Sequence, residues 1–383
     1  MTRINVGNIR HPDASADSIQ LSSAGRVTLD GIAYPSAGPL SNRNLIINGA
    51  MQVAQRGTSG TANGDYAADR FSSGFSGGAI TISQESLTSG DPYDAGFRNF
   101  ARLTNTAAAS GATDHRRLTQ FIEAQNMANS GWNYASATSY VTLSFWIRSS
   151  VSQAFIVRLR SEDGTSQNYP MSTGTLTADT WTKITKTIPG NSNVAFDNDN
   201  GRGLRVEFAA FWGTDYTDSG VSLDTWAAYS ASTRAPDMTS TWAGTTNATF
   251  DVTGVQLEVG SVATPFEHRS YGDELARCQR YYQHFATDTS AAVYIGMGIS
   301  AGSTSARMFM PLAVPMRTTP SVTENGASAD DQISSTYALS SPSVIASCAS
   351  TVRVEFTTSG MTNGRPIQLQ VGTGESITLS AEL

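Results

Sequence analysis

The chain has 383 residues, enough for two or three domains, and carries a formal net charge of −7. Charged residues make up only 15% of it, while glycine, serine and threonine are abundant, which is typical of a turn-rich all-β protein rather than a helical enzyme. The negative balance argues against a nucleic-acid partner, because no excess of lysine and arginine exists to neutralise phosphates.

The sequence holds no apolar run that approaches the length of a membrane span, so we expect no membrane insertion. Its first residues, MTRINVGNIR, have no apolar core of the kind found in a signal peptide. We therefore expect the protein to be made in a cytoplasm, and either to stay there or to leave by cell lysis.

Residues 1–43 contain four short apolar pieces separated by turn residues, within 4–9, 19–21, 27–29 and 32–34. Each piece is strand-like and too short to bury a core. Two interpretations are open at this point. The segment is either a floppy leader or a part of an oligomer in which several copies pack around a shared axis.

Residues 44–269 predict one β-sandwich, because strand patterns recur with turn signals between them. The clearest strand, 140–148, places Val141, Leu143, Phe145 and Ile147 on one face. Further strands are predicted at 79–83, 100–103, 155–159, 181–188, 204–212 and 249–259, and the segment 118–122 fits either a strand or a helix. About eight strands with two-sheet alternation indicate a jelly roll.

A long insertion, 213–246, follows the strand at 204–212 and has few aliphatic residues. Together with the end of that strand it holds many aromatic and polar side chains: Trp212, Asp215, Tyr216, Asp218, Trp226, Tyr229, Arg234, Asp237 and Trp242. Such a loop is typical of a functional surface. The alternative is that its aromatic rings cap the sandwich or pack against a neighbouring subunit, as interfaces use the same residue types.

The sequence offers no metal or catalytic motif. Segment 197–201 begins like a calcium loop, but it lacks glycine at the sixth position and has Phe208 at the twelfth, so we interpret it as a polar turn. None of the four histidines, His11, His115, His268 and His284, has a ligand or triad spacing, and no glycosidase carboxylate pair can be selected. We expect no cofactor and no enzymatic activity. Cys278 and Cys348 are expected to be two buried thiols rather than a disulfide.

The structural pattern changes at 249–283. Apolar residues alternate along 250–259, with a break at Thr253-Gly254 that indicates a bulge. Ser270 and Asp273 then have the form of a capping box, and Leu275, Cys278 and Tyr282 fall on one helical face. This pattern predicts a short linking helix at 270–283.

Residues 284–383 predict a second, small β-sandwich. Its strands are expected at 292–299, 306–310, 321–323, 351–356 and 367–371, with 377–379 ending the last one. The predicted fold class is thus all-β: an extended N-terminal segment (1–43), a jelly roll (44–269), a linking helix (270–283) and a C-terminal sandwich (284–383).

Three motifs resemble bacteriophage tail and tail-fibre proteins. The longest is QLEVGSVATPFEHR at 256–269, followed by ELARCQRYY at 274–282; the opening motif is NLIINGAMQVAQRG at 44–57 with Asp69-Arg-Phe71. The segment 309–320 resembles the element that follows that helix in such fibres. In that family the first two motifs open and close a carbohydrate-binding-module-like jelly roll, but Trp often stands where this chain has Ala54.

The resemblance implies a homotrimeric virion component of the phage tail. The segment 1–43 would attach it to other tail proteins, and the C-terminal sandwich would be the distal tip. Sugar binding would need aromatic faces and short polar groups. The candidates are Trp212, Tyr216, Trp226, Tyr229 and Trp242, with Trp132 and Tyr134 as a smaller set. Related modules often hold a structural calcium ion, but the sequence does not show where such a site would lie in this chain.

Three functions follow from the resemblance. The first is non-catalytic recognition of a host-surface polysaccharide, leading to adsorption. The second is a purely structural fibre or decoration subunit. The third is a polysaccharide depolymerase, which the absence of a repeat with a period of about 20 residues disfavours.

Overall fold

A computed structural model describes residues 8–10, 17–21, 27–29, 32–33, 41–287, 291–333 and 335–383. The chain divides into two compact units, Met1–Arg269 and Ser270–Leu383. The described residues form an all-β protein with three short helices, so the predicted fold class is confirmed.

The first unit contains sixteen strands and two helices within its described residues. In chain order they are β1 (Asn8–Ile9), β2 (Ile19–Leu21), β3 (Val27–Leu29), β4 (Ile32–Ala33), β5 (Ser59–Gly60), β6 (Ser72–Ser76), β7 (Ala79–Ser86), α1 (Asp91–Asp94), β8 (Asn99–Ala107), β9 (His115–Glu123), α2 (Ala124–Ala128), β10 (Tyr140–Ser149), β11 (Ala154–Ser161), β12 (Gln167–Thr175), β13 (Thr182–Pro189), β14 (Arg202–Trp212), β15 (Ala227–Ala228) and β16 (Thr249–Val259).

The second unit contains one helix and ten strands within its described residues. They are α3 (Tyr271–Gln279), β17 (Tyr282–Ala286), β18 (Val293–Ser300), β19 (Ser305–Pro311), β20 (Ser321–Asn325), β21 (Ser328–Asp330), β22 (Thr336–Ala338), β23 (Ser340–Ser347), β24 (Thr351–Thr357), β25 (Pro366–Val371) and β26 (Ser376–Ser380).

The N-terminal pieces pair as a small antiparallel sheet in the order β1-β2-β3-β4. Ile9, Leu21 and Val27 are each more than a third exposed, so this sheet leaves apolar surface uncovered. The predicted positions Ile4, Val6 and Tyr34, and also His11, lie outside the described residues.

The sandwich of the first unit consists of two six-stranded sheets. The first sheet has the order β13-β10-β16-β8-β7-β5, and the second has the order β15-β12-β11-β14-β9-β6. Their inner faces meet at aromatic pairs: Phe145 lies 5.0 Å from Phe208, and Phe155 lies 5.0 Å from Phe250. Alternation in β10 therefore buries the residues that the sequence assigns to the core.

A β-bulge interrupts the pairing of β10 with β16 between Ser144 and Trp146, opposite the predicted break at Thr253-Gly254. Gly254 has a φ of 61°, and a Cβ there would lie 2.7 Å from the Phe97 ring. Glycine is needed at this position because aromatic rings pack directly on the backbone. The predicted bulge is confirmed.

The opening and closing motifs bind each other. The Asn44 side chain donates to the Val255 carbonyl (3.1 Å) and accepts from the Leu257 amide (3.1 Å). The Glu267 carboxylate accepts from the Asn44 amide at 3.0 Å, and Arg269 donates to the Ile46 carbonyl at 3.1 Å. The motifs that carry the resemblance thus close the sandwich by joining its two ends.

The second unit is a sandwich of a three-stranded sheet (β17-β26-β20) and a seven-stranded sheet (β22-β21-β25-β18-β19-β24-β23). Ser270 caps α3, since its side chain accepts from the Asp273 amide at 3.2 Å. The apolar face of this helix differs from the predicted one. The helix ends at Gln279 rather than at 283, and within it Cys278 is buried while Leu275 is only half-buried. Tyr281 and Tyr282 are both buried but lie beyond the helix, and Tyr282 begins β17.

Of the two alternatives left open for segment 118–122, the strand is correct, within β9. Two further expectations need correction. Segment 377–379 lies in a separate strand, β26, between β17 and β20. Cys278 is buried as predicted, but Cys348 is exposed because it lies in the turn between β23 and β24. Neither thiol forms a disulfide within the described residues.

Candidate functional site

The tryptophans of the insertion 213–246 and its flank are packing residues. Trp242 is fully buried, and its indole Nε1 donates to the Thr249 carbonyl at 2.9 Å. Trp226 is 9% exposed and donates to the Pro189 carbonyl at 2.7 Å. Trp212 is 1% exposed and joins a small cluster with Ile156. These three rings present no open face to a sugar, so the expectation that they stack on a ligand is corrected.

Trp132 and Tyr134 also pack against the protein. Trp132 is 3% exposed and donates to the Ser139 carbonyl at 3.3 Å. Tyr134 is half-buried, with its ring 4.9 Å from Phe196 in an edge-on arrangement. The aromatic rings of this loop cap the sandwich. Trp212, Trp226 and Trp242 do the same, which is the alternative that the sequence left open for the insertion.

The anchored insertion leaves two of the predicted residues, Tyr216 and Tyr229, half-buried on the outer face of the second sheet. The Tyr229 ring lies over the guanidinium of Arg160, with 3.5 Å between the guanidinium carbon and the ring centroid. The Tyr216 ring lies over Arg234 at 4.2 Å and meets His115 edge-on at 5.5 Å.

Sheet register brings a third aromatic residue to the same face. Phe121 of β9 is opposite Arg205 of β14, which is opposite Arg160 of β11. These three residues form one row across three neighbouring strands, about 10 Å long at ordinary strand spacing. The Phe121 ring is half-buried, with the guanidinium of Arg202 at 4.2 Å and that of Arg205 at 4.7 Å from its centroid.

The next row of the same face is built around a buried carboxylate. Glu207 is fully buried and lies between Arg158 (2.9 Å), Arg117 (3.4 Å) and Arg205 (3.5 Å). Burial raises the pKa of Glu207, but the positive charges of Arg158, Arg117 and Arg205 outweigh that effect and lower the pKa to about 2. Glu207 is therefore ionised at any physiological pH and pairs with Arg117, Arg158 and Arg205.

The pKa of His115 reflects its burial and the positive charges that surround it on this face. Burial and the neighbouring charges of Arg117 and Arg234 lower its pKa to about 4. The imidazole is therefore neutral near pH 7, and the charges that surround it are predominantly positive.

A cavity of about 420 Å³ adjoins these residues where the insertion bends over β12 and β15. Its walls include Asn168 and Pro170 of β12 and Asp218 and Thr225 of the insertion. Asn168 also links the cavity to the arginines, because its amide oxygen accepts from Arg158 at 3.2 Å. We call the outer surface that carries Arg117, Phe121, Arg160, Arg202, Arg205, Tyr216, Tyr229 and Arg234 the arginine face.

A second concavity, of about 570 Å³, lies on the outer side of the first sheet beside the Gly254 bulge. Trp146 and Lys183 line it, with 6.0 Å between the ammonium nitrogen and the indole centroid. Its opposite wall is an aromatic group in which Phe97 packs on Phe266 at 4.8 Å and on His268 at 5.2 Å. His268 also contacts the Ala95 carbonyl at 3.2 Å, and this contact helps to hold the closing motif in place.

The described residues contain no group of three or more histidine, cysteine, aspartate or glutamate side chains that could hold a metal ion. Residues 197–201 form a polar connection between β13 and β14, where the Asp199 side chain accepts from the Gly201 amide at 2.8 Å. In the part of the chain that the structure describes, no helix is long and apolar enough to cross a membrane.

The sequence analysis identifies Tyr216, Tyr229 and Arg234 but misses Phe121 and the arginines of the strands. The available signal was the alternation of charged and apolar residues within otherwise buried strands, as in Arg158-Leu-Arg160 and Arg205-Val-Glu207. In a sandwich strand such alternation places the charged residues on the outer face.

No protein-family model matches this sequence. No curated protein matches it either. Some solved structures are similar to part of this chain. An enzymatically active domain of tailspike protein 4 from bacteriophage CBA120 is 11% identical with a TM-score of 0.29, and the match covers 56% of this chain and 21% of that one.

Two carbohydrate-binding modules are also similar. A family 4 module is 15% identical with a TM-score of 0.28, and the match covers 56% of this chain and 99% of that one. A family 11 module from Clostridium thermocellum, solved with a mixed-linked β-1,3-1,4 tetrasaccharide, is 8% identical with a TM-score of 0.25, covering 54% and 98%. The chain spans about a fifth of the tailspike domain. Function must be inferred from this chain's own residues.

Proposed function

We propose that this protein is a non-catalytic glycan-binding component of a phage tail, which adsorbs to polysaccharide on the host surface through the arginine face. The observation that carries the glycan-binding part is the row formed by Phe121, Arg205 and Arg160, with Tyr229 stacked on its end. Aromatic faces complement the apolar face of a pyranose, and guanidinium forks donate to its hydroxyl groups.

The row is held rigid before any ligand arrives. Arg205 is ion-paired with Glu162 at 2.7 Å and with Glu207 at 3.5 Å. Arg160 lies over the Tyr229 ring and 3.5 Å from Glu162. Side chains that are already ordered lose little conformational entropy on binding, so the affinity per contact rises. The adjoining 420 Å³ cavity gives the surface the concavity that small-ligand sites usually have.

The chemistry of the face favours binding over hydrolysis. A glycosidase needs a carboxylic acid whose pKa is raised, so that it can protonate the leaving oxygen. Glu207 has the opposite property, because three arginines hold it ionised. It is also fully buried and fully engaged. For these reasons we propose that the arginine face binds glycan without hydrolysing it.

The virion part of the proposal comes from the motifs at 44–57 and 256–282 and from the exposed apolar residues of the N-terminal sheet. Ile9, Leu21 and Val27 would be covered if copies of this segment assembled around an axis or met another tail protein. We therefore propose a homotrimer attached through residues 1–43.

A glycan array probed with the full chain, combined with an assay for reducing-sugar release, tests this function. We expect binding to at least one bacterial surface polysaccharide without release of reducing ends. Release would show a depolymerase, and binding to none of the glycans would contradict the proposal.

A purely structural role is the second candidate, and one observation favours it. On the seven-stranded sheet of the second unit, Met297, Ile299 and Phe309 are exposed side by side, since Met297 is opposite Phe309 in the register. An apolar patch of this kind suits contact between subunits. A chain that forms fibres and binds no glycan would support this role.

A further inference from the structure

We propose that the glycan bound by the arginine face is acidic, and that arginines of this face hold its carboxylate groups. This inference rests on the proposed function and narrows its ligand class. It is carried by the contrast between the charge of the face and the charge of the chain. The whole chain has a net charge of −7. On the outer side of the second sheet, strands β9, β11 and β14 carry five arginines against two glutamates: Arg117, Arg158, Arg160, Arg202 and Arg205, with Glu123 and Glu207. Glu162 follows β11, and the insertion adds Arg234 together with the aspartates Asp215, Asp218, Asp224 and Asp237.

The acidic residues on this face pair with some of its arginines and not with others. Glu162 lies 2.7 Å from Arg205 and 3.5 Å from Arg160. Glu207 is one charge shared by three arginines, and Arg158, which is 1% exposed, is its most buried partner. Arg117 approaches Glu207 through Nε at 3.4 Å and is about a quarter exposed. Its terminal nitrogens make no hydrogen bond among the described residues, so its outer edge can donate to a ligand.

Neither Arg202 nor Arg234 forms a direct ion pair within the described ranges, although the charge of Arg234 also helps to lower the pKa of Glu207. Arg202 lies over the Phe121 ring and extends into solvent. Arg234 lies over the Tyr216 ring and donates through Nε to the Ala231 carbonyl at 3.0 Å. Each guanidinium therefore keeps a charged edge beside an aromatic ring, one near each end of β9.

An aromatic ring next to a guanidinium fork matches the two features of an acidic sugar. The ring accepts the apolar face of the pyranose, and the fork can bind the carboxylate through two parallel N–H···O bonds. A neutral sugar would use only the first feature. It would leave Arg202 and Arg234 without an anion.

Nucleic acid also combines anionic groups with flat rings, but the chain as a whole disfavours it. A polymer with a phosphate at every residue would be repelled by the net charge of −7 outside the face. An acidic glycan carries its charges farther apart and meets mainly the face itself. The low pKa of His115, caused by burial and then by Arg117 and Arg234, is consistent with a positive local potential.

The test compares each polysaccharide of a bacterial surface-glycan array in its native form and after chemical reduction of its carboxyl groups, using the full chain. We expect binding to acidic polysaccharides, loss of at least about tenfold in affinity on reduction, and weakening by added salt. Equal binding to native and reduced forms, or binding only to neutral glycans, would overturn the inference and leave the proposed function intact. Tighter binding to a single-stranded DNA oligonucleotide would also overturn it.

Variants locate the effect. Arg202→Gln and Arg234→Gln are each expected to weaken binding of the acidic glycan about tenfold, the loss of one charge-assisted contact. Arg202→Lys should recover only part of it, because lysine keeps the charge but not the fork. Lys183→Gln, in the cleft of the first sheet, is the matched control and should bind like wild type. Loss of binding in Lys183→Gln, with Arg202→Gln unaffected, would place the ligand in that cleft and contradict the assignment.

Discussion

Replacing Glu207 by glutamine tests whether a buried carboxylate organises the arginine face. The substitution keeps the shape of the side chain but removes the charge that Arg158, Arg117 and Arg205 share. Arg158 is 1% exposed, so it cannot recover the lost interaction from water. We therefore expect the sandwich of the first unit to lose stability.

The size of the loss follows from the ionisation of Glu207. Its pKa falls from 4.5 to about 2 on folding, although burial alone would raise it, because the arginine charges dominate. Such a fall corresponds to about 3 kcal/mol of free energy of unfolding. Because the pKa is lower in the folded state, this stability is present above pH 4.5 and is lost as the pH falls towards 2.

Tryptophan fluorescence during urea unfolding measures this effect in the first unit alone, because all six tryptophans lie between residues 132 and 242. At pH 7 the Glu207→Gln variant should be less stable by about 3 kcal/mol. The difference from wild type should shrink as the pH falls below 4.5. Asp218→Asn, an exposed carboxylate on the insertion, is the control and should change stability by less than about 0.5 kcal/mol. A Glu207→Gln variant as stable as wild type at pH 7 would refute the reasoning.

Three further predictions concern other parts of the chain. Asp251→Asn should destabilise the first unit by about 2 kcal/mol in the same fluorescence assay, because the buried Asp251 carboxylate pairs with Arg102 at 2.7 Å and with Arg148 at 2.8 Å. An unchanged urea midpoint would show that these ion pairs do not stabilise the unit. Tyr281→Ala should lower the stability of the second unit by about 3 kcal/mol, because Tyr281 is fully buried. Circular dichroism should show a smaller loss for Leu275→Asp. A larger loss for Leu275→Asp would mean that Leu275 lies on the packed face of the helix, as the sequence predicts. Light scattering should give a trimer for the full chain and a smaller species after deletion of residues 1–43, and a monomer that retains the segment would contradict the assembly.

The sequence predicts strands well wherever one face is continuously apolar. Val141, Leu143, Phe145 and Ile147 alternate without interruption, and all four are in the core. By contrast, β12 was not predicted, because its sequence QNYPMSTGT contains Pro170 and many polar residues. Proline is tolerated in β12 because this strand lies near the edge of the sheet: β15, one of its two neighbours, is only two residues long.

The candidate site is harder to read from the sequence, because its residues come together only through strand register. Phe121, Arg160 and Arg205 are far apart along the chain, and their row exists because β9, β14 and β11 are neighbours. The insertion tryptophans mislead for a related reason. An aromatic residue in a long loop gives no local sign of facing the core, and Trp226 finds its partner at Pro189, 37 positions away.

The most direct test of the central claim is equilibrium binding of the best array glycan to a Phe121→Ala/Tyr229→Ala double variant and to Trp146→Ala. Phe121 and Tyr229 lie on the arginine face, whereas Trp146 lines the cleft of the first sheet. Fluorescence unfolding of each variant checks that the sandwich remains folded. We predict that the double variant binds at least about tenfold more weakly, the effect of losing aromatic anchors, and that Trp146→Ala binds like wild type. Unchanged binding by the folded double variant, or loss of binding confined to Trp146→Ala, would contradict the assignment of glycan binding to the arginine face.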